Sequence, residues 1–149
     1  VPVEDNITSA VPRDISNNFG FINSKLVSSK TAEYVKKFNI ILTSGRQLIE
    51  ELSGGNQQKC IISKWLMSNP SVLILDEPTR GVDVGVKSEM YEIINQLAQM
   101  GTAIILISSE LPEILSLSHR IIVMREGQIT KVLNHQDATQ EHIMKFAIS

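Results

Sequence analysis

The chain has 149 residues, 42% of them apolar and 20% charged. That is enough apolar side chain for a packed core and too little charge for a disordered polymer. Fourteen Lys and Arg against sixteen Asp and Glu leave a formal charge of -2, which offers no cationic field to hold a nucleic-acid backbone.

The one cysteine, Cys60, cannot close an internal disulfide, which suits a reducing compartment. The longest apolar runs, Val72–Leu75 and Ala103–Ile107, fall far short of the ~20 residues of a membrane-spanning helix. No basic, then apolar, then small-residue leader opens the chain. Val1-Pro2-Val3-Glu4-Asp5-Asn6 reads like mid-protein sequence, so a piece of a longer protein is expected.

In chain order, the first 50 or so residues are polar and poor in strand formers, with turn-rich stretches at Pro12–Asn18 and Thr43–Arg46. Ser28 or Ser29 is placed to cap a helix carrying Ala32, Val35 and Phe38 at three-residue spacing. Ser53-Gly54-Gly55 then precedes a helical stretch with Ile61, Ile62, Trp65 and Leu66, which stops at Asn69-Pro70. Cys60 and Trp65 sit at helical spacing beside these residues and are expected in the core. Val72–Leu75 reads as a buried parallel strand. Val86–Met100 reads as an amphipathic helix with Met90, Ile93, Ile94 and Leu97 on one face, closed by Gly101. Ala103–Ile107 and Ile121–Met124 follow as strands, with Gln128–Leu133 as a fourth after a Glu126-Gly127 turn and a terminal helix over Glu141–Ile148. Strands alternating with helices predict an α/β layered core with a mostly parallel sheet, preceded by a small helical subdomain. The boundary is expected between residues 1–69 and 70–149.

Two stretches carry chemistry. Asp76 and Glu77 directly follow an apolar strand, at the carboxyl edge where open α/β sheets bind ligands. A carboxylate there can hold Mg²⁺ through water while its neighbour polarises an attacking water; a plain acidic turn before Pro78 is the ordinary alternative. In Leu52-Ser53-Gly54-Gly55-Asn56-Gln57-Gln58-Lys59, Ser53 can cap the next helix, and the glycines let a phosphate approach bare backbone. Orphan N–H groups and the helix dipole favour an anion at that end. An ordinary glycine-rich helix start is common, but the Asp-Glu pair 23 residues beyond Ser53 shifts the balance to function.

Leu52–Lys59 resembles the signature motif of ATP-binding cassette (ABC) ATPases, and Val72–Pro78 resembles their Walker B strand with its catalytic glutamate. Thr79–Gly85 is similar to their D-loop, in the form typical of bacterial ribose, galactose and xylose importers. The resemblance runs from about Val1 to Thr130 and fits the second of two tandem cassettes. It implies part of a P-loop NTPase fold, with ATP and Mg²⁺ as cofactors. By position it implies Glu77 as catalytic, Asp76 on Mg²⁺ through water, and Asp83 in the D-loop. Ser53, Gly54, Gly55 and Asn56 would bind ATP held by a partner cassette, in the same polypeptide or a second copy. Further implied partners are membrane-spanning permease subunits, docked on the helical subdomain, and indirectly a periplasmic or extracellular sugar-binding protein. The implied place is the cytoplasmic face of the membrane.

Two departures from the family pattern bear on mechanism. The P-loop, Gly-x-x-x-x-Gly-Lys-Ser/Thr, occurs nowhere in these residues; without its strand the sheet is expected to have unpaired edges, which either pair with a second copy or expose an apolar seam. Ser109 stands where most cassettes have a switch histidine, and a hydroxyl carries no imidazolium charge. Losing one transition-state donor costs roughly 3 kcal/mol, so the site built on Asp76 and Glu77 is expected to be weakened or silent. A non-catalytic regulatory cassette is the second reading. A nucleic-acid-associated ABC ATPase is the third, disfavoured by the charge balance and the short gaps between motifs. His119, His135 and His142 lack a zinc-like spacing.

Overall fold

A computed structural model describes residues Val1–Ile148. They fall into two compact units: Val1–Leu73 with Thr79–Ala103, and Ile74–Pro78 with the stretch from Ile104 onward.

The first unit is helical. Helix α1 (Val3–Thr8) lies against α2 (Ser24–Lys37) and α3 (Gly54–Leu66), and α4 (Val84–Gln99) packs on α3. Val3 and Ile7 are fully buried, as are Cys60 on α3 and Met90 on α4. Helix α2 starts earlier than the sequence suggests. Asn23 caps it by accepting from Lys25 N and Leu26 N at 3.0 and 3.4 Å, so Ser28 and Ser29 are interior residues. Its buried stripe runs through Val27, Thr31 and Phe38, and Ala32 faces solvent. Helix α1 packs on α2, whose buried residues are Val27 and Thr31, and Ala32 lies about 100° round from Thr31. Helix α2 ends in a Schellman turn, with Asn39 at φ 48 and Ile40 N donating to Val35 O at 2.9 Å. Helix α4 ends similarly at Gly101, as expected, with Thr102 N donating to Leu97 O at 3.1 Å.

Helix α3 buries Cys60, Ile62, Ser63 and Leu66. Trp65 is 52% exposed, contrary to the sequence expectation, and Ile61 is exposed with it. The face of α3 turned to the core runs through Gly55, Lys59, Ile62, Ser63 and Leu66, and at about 100° per residue Ile61 and Trp65 fall on the opposite side. The Trp65 ring is covered instead by Lys64 Nζ, 5.0 Å from its centroid. Burial pushes the Cys60 thiol up to about 11 from its ordinary 9.0. At pH 8 that leaves about one thiolate in a thousand. Iodoacetamide is therefore expected to leave Cys60 unmodified at pH 8 until denaturant is added; labelling of native protein within minutes would contradict this. The raised value also means that this group's contribution to stability is full below pH 9.0 and is lost as pH rises towards about 11.

Strands β1 (Val72–Asp76) and β2 (Ala103–Ile107) form one two-stranded sheet. Ala103 N donates to Ser71 O at one end and Glu77 N to Ile107 O at the other, so the two strands run parallel. The strands are not buried on both faces. Leu73 and Leu75 point inward, while Val72, Ile74, Ile105 and Ile107 are exposed. No part of the described chain covers that face, in line with the apolar seam expected from the sequence.

In the second unit, α5 (Leu111–Leu117) leads to β3 (Arg120–Arg125) and β4 (Gln128–Asn134), and α6 (Gln140–Ile148) closes it. Parallel pairing accounts for the first sheet and not for this one: β3 and β4 are antiparallel. A two-residue loop can join only antiparallel neighbours. Glu126 and Gly127, at φ 50 and 77, supply the two left-handed residues of a type I′ turn. Ile121, Val123, Leu133 and Ile143 form this unit's core, with Leu111, Ile114 and Phe146 against it. Thr130 Oγ1 donates towards Phe146 O at 2.9 Å and ties α6 to the hairpin.

Candidate functional site

The sequence-predicted site residues fall into two clusters, one in each unit. In the first unit the cluster is the tip of α3. Ser53 is its N-cap, extended at φ -60 and ψ 153, and its Oγ accepts from Asn56 N at 3.5 Å and Asn56 Nδ2 at 2.9 Å. The Asn56 carboxamide is spent on structure in both directions, because its Oδ1 accepts from Ile41 N at 2.9 Å. Gln57 Nε2 closes the turn from the other side by donating to Leu52 O at 2.9 Å. The N–H groups of Gly54 and Gly55, first in the helix, have no partner among the described residues.

The two glycines differ. A Cβ on Gly55 would lie 2.3 Å from Val86 Cγ1, so this glycine lets α4 approach α3. A Cβ on Gly54 would meet only Gly81 O, at 3.9 Å. Gly54 is solvent-exposed, so nothing in the fold itself requires a glycine there. The loop that brings Gly81 here is a type II turn, with Val82 N donating to Thr79 O at 3.2 Å and Gly81 at φ 73 in the position that needs it. Asp83 follows as N-cap of α4, yet its carboxylate makes no capping hydrogen bond and is exposed. An aspartate in capping position that does not cap is free to meet another molecule.

In the second unit the cluster is the carboxyl edge of β1 and β2. Asp76 ends β1 and is exposed. Glu77 is half-buried and sits in the left-handed region at φ 48. For a non-glycine residue that costs on the order of 1 kcal/mol, and such strain gathers at functional sites. Two bonds hold it: Glu77 N donates to Ile107 O at 2.8 Å, and Glu77 Oε1 accepts from Ser109 N at 2.9 Å. Ser109 thus reaches Glu77 through its main chain, a contact any residue at 109 would make. Ser109 itself is exposed. Ser108 Oγ accepts from Glu110 N at 3.0 Å and shapes the start of α5.

Sequence reasoning missed one feature of the first cluster. Lys59 is buried, donating to Asn39 O at 3.1 Å and to the Glu89 carboxylate. Glu89 lies 30 residues away on α4, and no local pattern marks it as a partner.

A family model described as "ABC transporter" matches residues 3–80, which hold the signature tip and the Asp76-Glu77 edge. The chain belongs to the ABC transporter family. Among curated proteins, it is 47% identical over 147 residues to the ribose import ATP-binding protein RbsA of Clostridium tetani. It is 50% identical over 146 residues to the protein of that name in Clostridium perfringens. It is also 48% identical over 145 residues to a putative ribose/galactose/methyl galactoside import ATP-binding protein of Pseudomonas syringae. These matches cover 97 to 99% of this chain but only 27 to 29% of each relative's length. Among solved structures, an inward-facing putative metal-chelate type ABC transporter superposes with TM-score 0.80 at 16% identity, over 97% of this chain and 57% of that one. A dimeric ATP-binding cassette in a post-hydrolysis state with ADP and Pi gives 0.74 at 18% identity, over 91% and 57%. At such identities the likeness establishes the fold, and the α/β fold is that of ABC cassettes. Among the described residues no helix is long and apolar enough to cross a membrane.

Proposed function

We infer that this chain is part of the ATP-binding subunit of a monosaccharide importer. It corresponds to the later part of the second of two tandem cassettes, and its signature tip completes the ATP site of the partner cassette. The observation that supports this reading is the contrast between the two glycines: packing against Val86 accounts for Gly55, whereas Gly54 has no packing neighbour and leaves the tip open to an approaching ligand. The chemistry of the tip fits a polyphosphate, with two unpartnered main-chain N–H groups, a serine hydroxyl and the positive end of α3. Gly54, Gly55 and Ser53 would bind and orient the γ-phosphate end of ATP, with Asn56 holding the turn in shape and Asp83 meeting the facing cassette. Asp76 would hold Mg²⁺ through water, and Glu77 would orient and deprotonate water at the chain's own site. Mg-ATP, when bound, supplies the phosphoryl group and the cation that neutralises its charge.

The chain's own site is the weaker of the two, because Ser109 supplies a neutral hydroxyl where a switch histidine would carry charge. Residues 1–69 form the helical part that docks on permease subunits, and 70–149 the Asp76-Glu77 part of the ATPase core. The assembly sits at the cytoplasmic face of the membrane and takes its sugar from an external binding protein. The relatives' names support import of ribose-class sugars.

Without a phosphate-cradling lysine loop among these residues, the chain alone is expected neither to bind ATP tightly nor to hydrolyse it. Isothermal titration of the 149-residue chain with Mg-ATP tests this; heat of binding at micromolar affinity would show that the chain holds nucleotide by itself, against the reading in trans.

A further inference from the structure

Lys59 is 4% exposed, and its ammonium is held by Asn39 O at the end of α2 and by Glu89 on α4. Burying an ammonium is costly unless it is paired. A hydrocarbon side chain would fill the same space without that cost, but its contacts are non-directional and would not tie α3 to one residue of α4. An ammonium between two fixed acceptors does. The position of the pair is informative. Gly55 meets Val86, and Lys59 meets Glu89, four residues further on α3 and three further on α4. Contacts one turn apart on both helices mean that α3 and α4 lie side by side and run the same way. Their first turns therefore stand together, and the 3.9 Å from a Gly54 Cβ to Gly81 O shows this independently.

We propose that Lys59 and Glu89 are positioning residues that lock α3 to α4, so that the Ser53–Gly55 turn and Asp83 meet a partner-held nucleotide as one rigid tip. The inference rests on the reading of this tip as a site in trans. Two contacts a turn apart fix both the spacing and the register of the helices, which neither does alone. Lost register would misplace the tip without removing any group that touches nucleotide.

The test uses the complete polypeptide with its permease, comparing Glu89→Gln, Ser53→Ala and the double variant. Glu89 is half-exposed, so its amide is tolerated by the fold where a Lys59 variant would be at risk. Turnover is counted per folded molecule, with folding followed by circular dichroism. Glu89→Gln is expected to lower kcat on the order of tenfold, with KM for Mg-ATP within about twofold. The double variant is expected to lose less than the product of the single losses, because both act through one tip. Full kcat in Glu89→Gln beside a loss in Ser53→Ala overturns the lock and leaves the trans site standing. Full kcat in both overturns the lock and the trans reading together. Losses that multiply, or that vanish once unfolded protein is discounted, reduce Lys59 and Glu89 to ordinary packing and overturn the proposal.

Discussion

Replacing Gly55 by alanine is expected to destabilise the first unit by about 1–3 kcal/mol, the range for forcing a methyl group into a packed site. The neighbouring change, Gly54→Ala, is expected to leave stability within about 1 kcal/mol of the parent. The two residues are adjacent in one helical turn, so intrinsic propensity does not separate them; their surroundings do. At Gly55 the new Cβ would lie 2.3 Å from Val86 Cγ1 and 3.2 Å from Val86 Cβ, and the valine has no long flexible end to swing away. At Gly54 the nearest atom is Gly81 O at 3.9 Å, an ordinary contact. Urea unfolding of the chain, followed by circular dichroism, measures both. In the complete polypeptide the order is expected to reverse for turnover: on the proposed reading Gly54→Ala puts a methyl group in the path of the phosphate, at a cost of about a hundredfold. A stable, fully active Gly54→Ala protein would remove the contrast on which the functional reading is built.

Glu77→Gln in the complete polypeptide is expected to lower ATP turnover by no more than about tenfold, where removal of a productive general base costs 10²–10⁴-fold. The substitution is structurally mild. A carboxamide oxygen can still accept from Ser109 N, the main-chain bond to Ile107 O is untouched, and the left-handed φ of 48 is unaffected. The rate change therefore reports on chemistry rather than on folding. A small loss means that the productive site is the one completed by Ser53, Gly54 and Gly55. A loss of a hundredfold or more together with an active Gly54→Ala variant would mean that the two roles had been assigned the wrong way round.

The motifs were legible because their geometry is local. Ser53 caps the helix that its own next three residues begin, and Glu77 stands at the end of its own strand. The helix over α4 and its stop at Gly101 were legible for the same reason, since periodicity and a Schellman turn lie within one segment. Less was legible wherever two segments compete. Asn23 takes the cap from Ser28 and Ser29 because the loop before it folds back, with Asn23 N donating to Ile15 O at 2.7 Å. Trp65 faces outward because the neighbours of α3 are placed against 62, 63 and 66. The antiparallel hairpin was within reach of the sequence, since a Glu126-Gly127 loop is too short for a parallel crossover.

The amino-acid order alone determined the α/β class, the positions of the signature and Asp76-Glu77 motifs, and the serine at 109, because each is a matter of residue type at a fixed spacing. Tertiary structure alone decided which of two identical glycines makes room for α4 and which stays open, and that Lys59 finds Glu89 across 30 residues. Spacing along a chain says which residues share a turn; only the packing of one helix on another says what stands within a few ångströms of them.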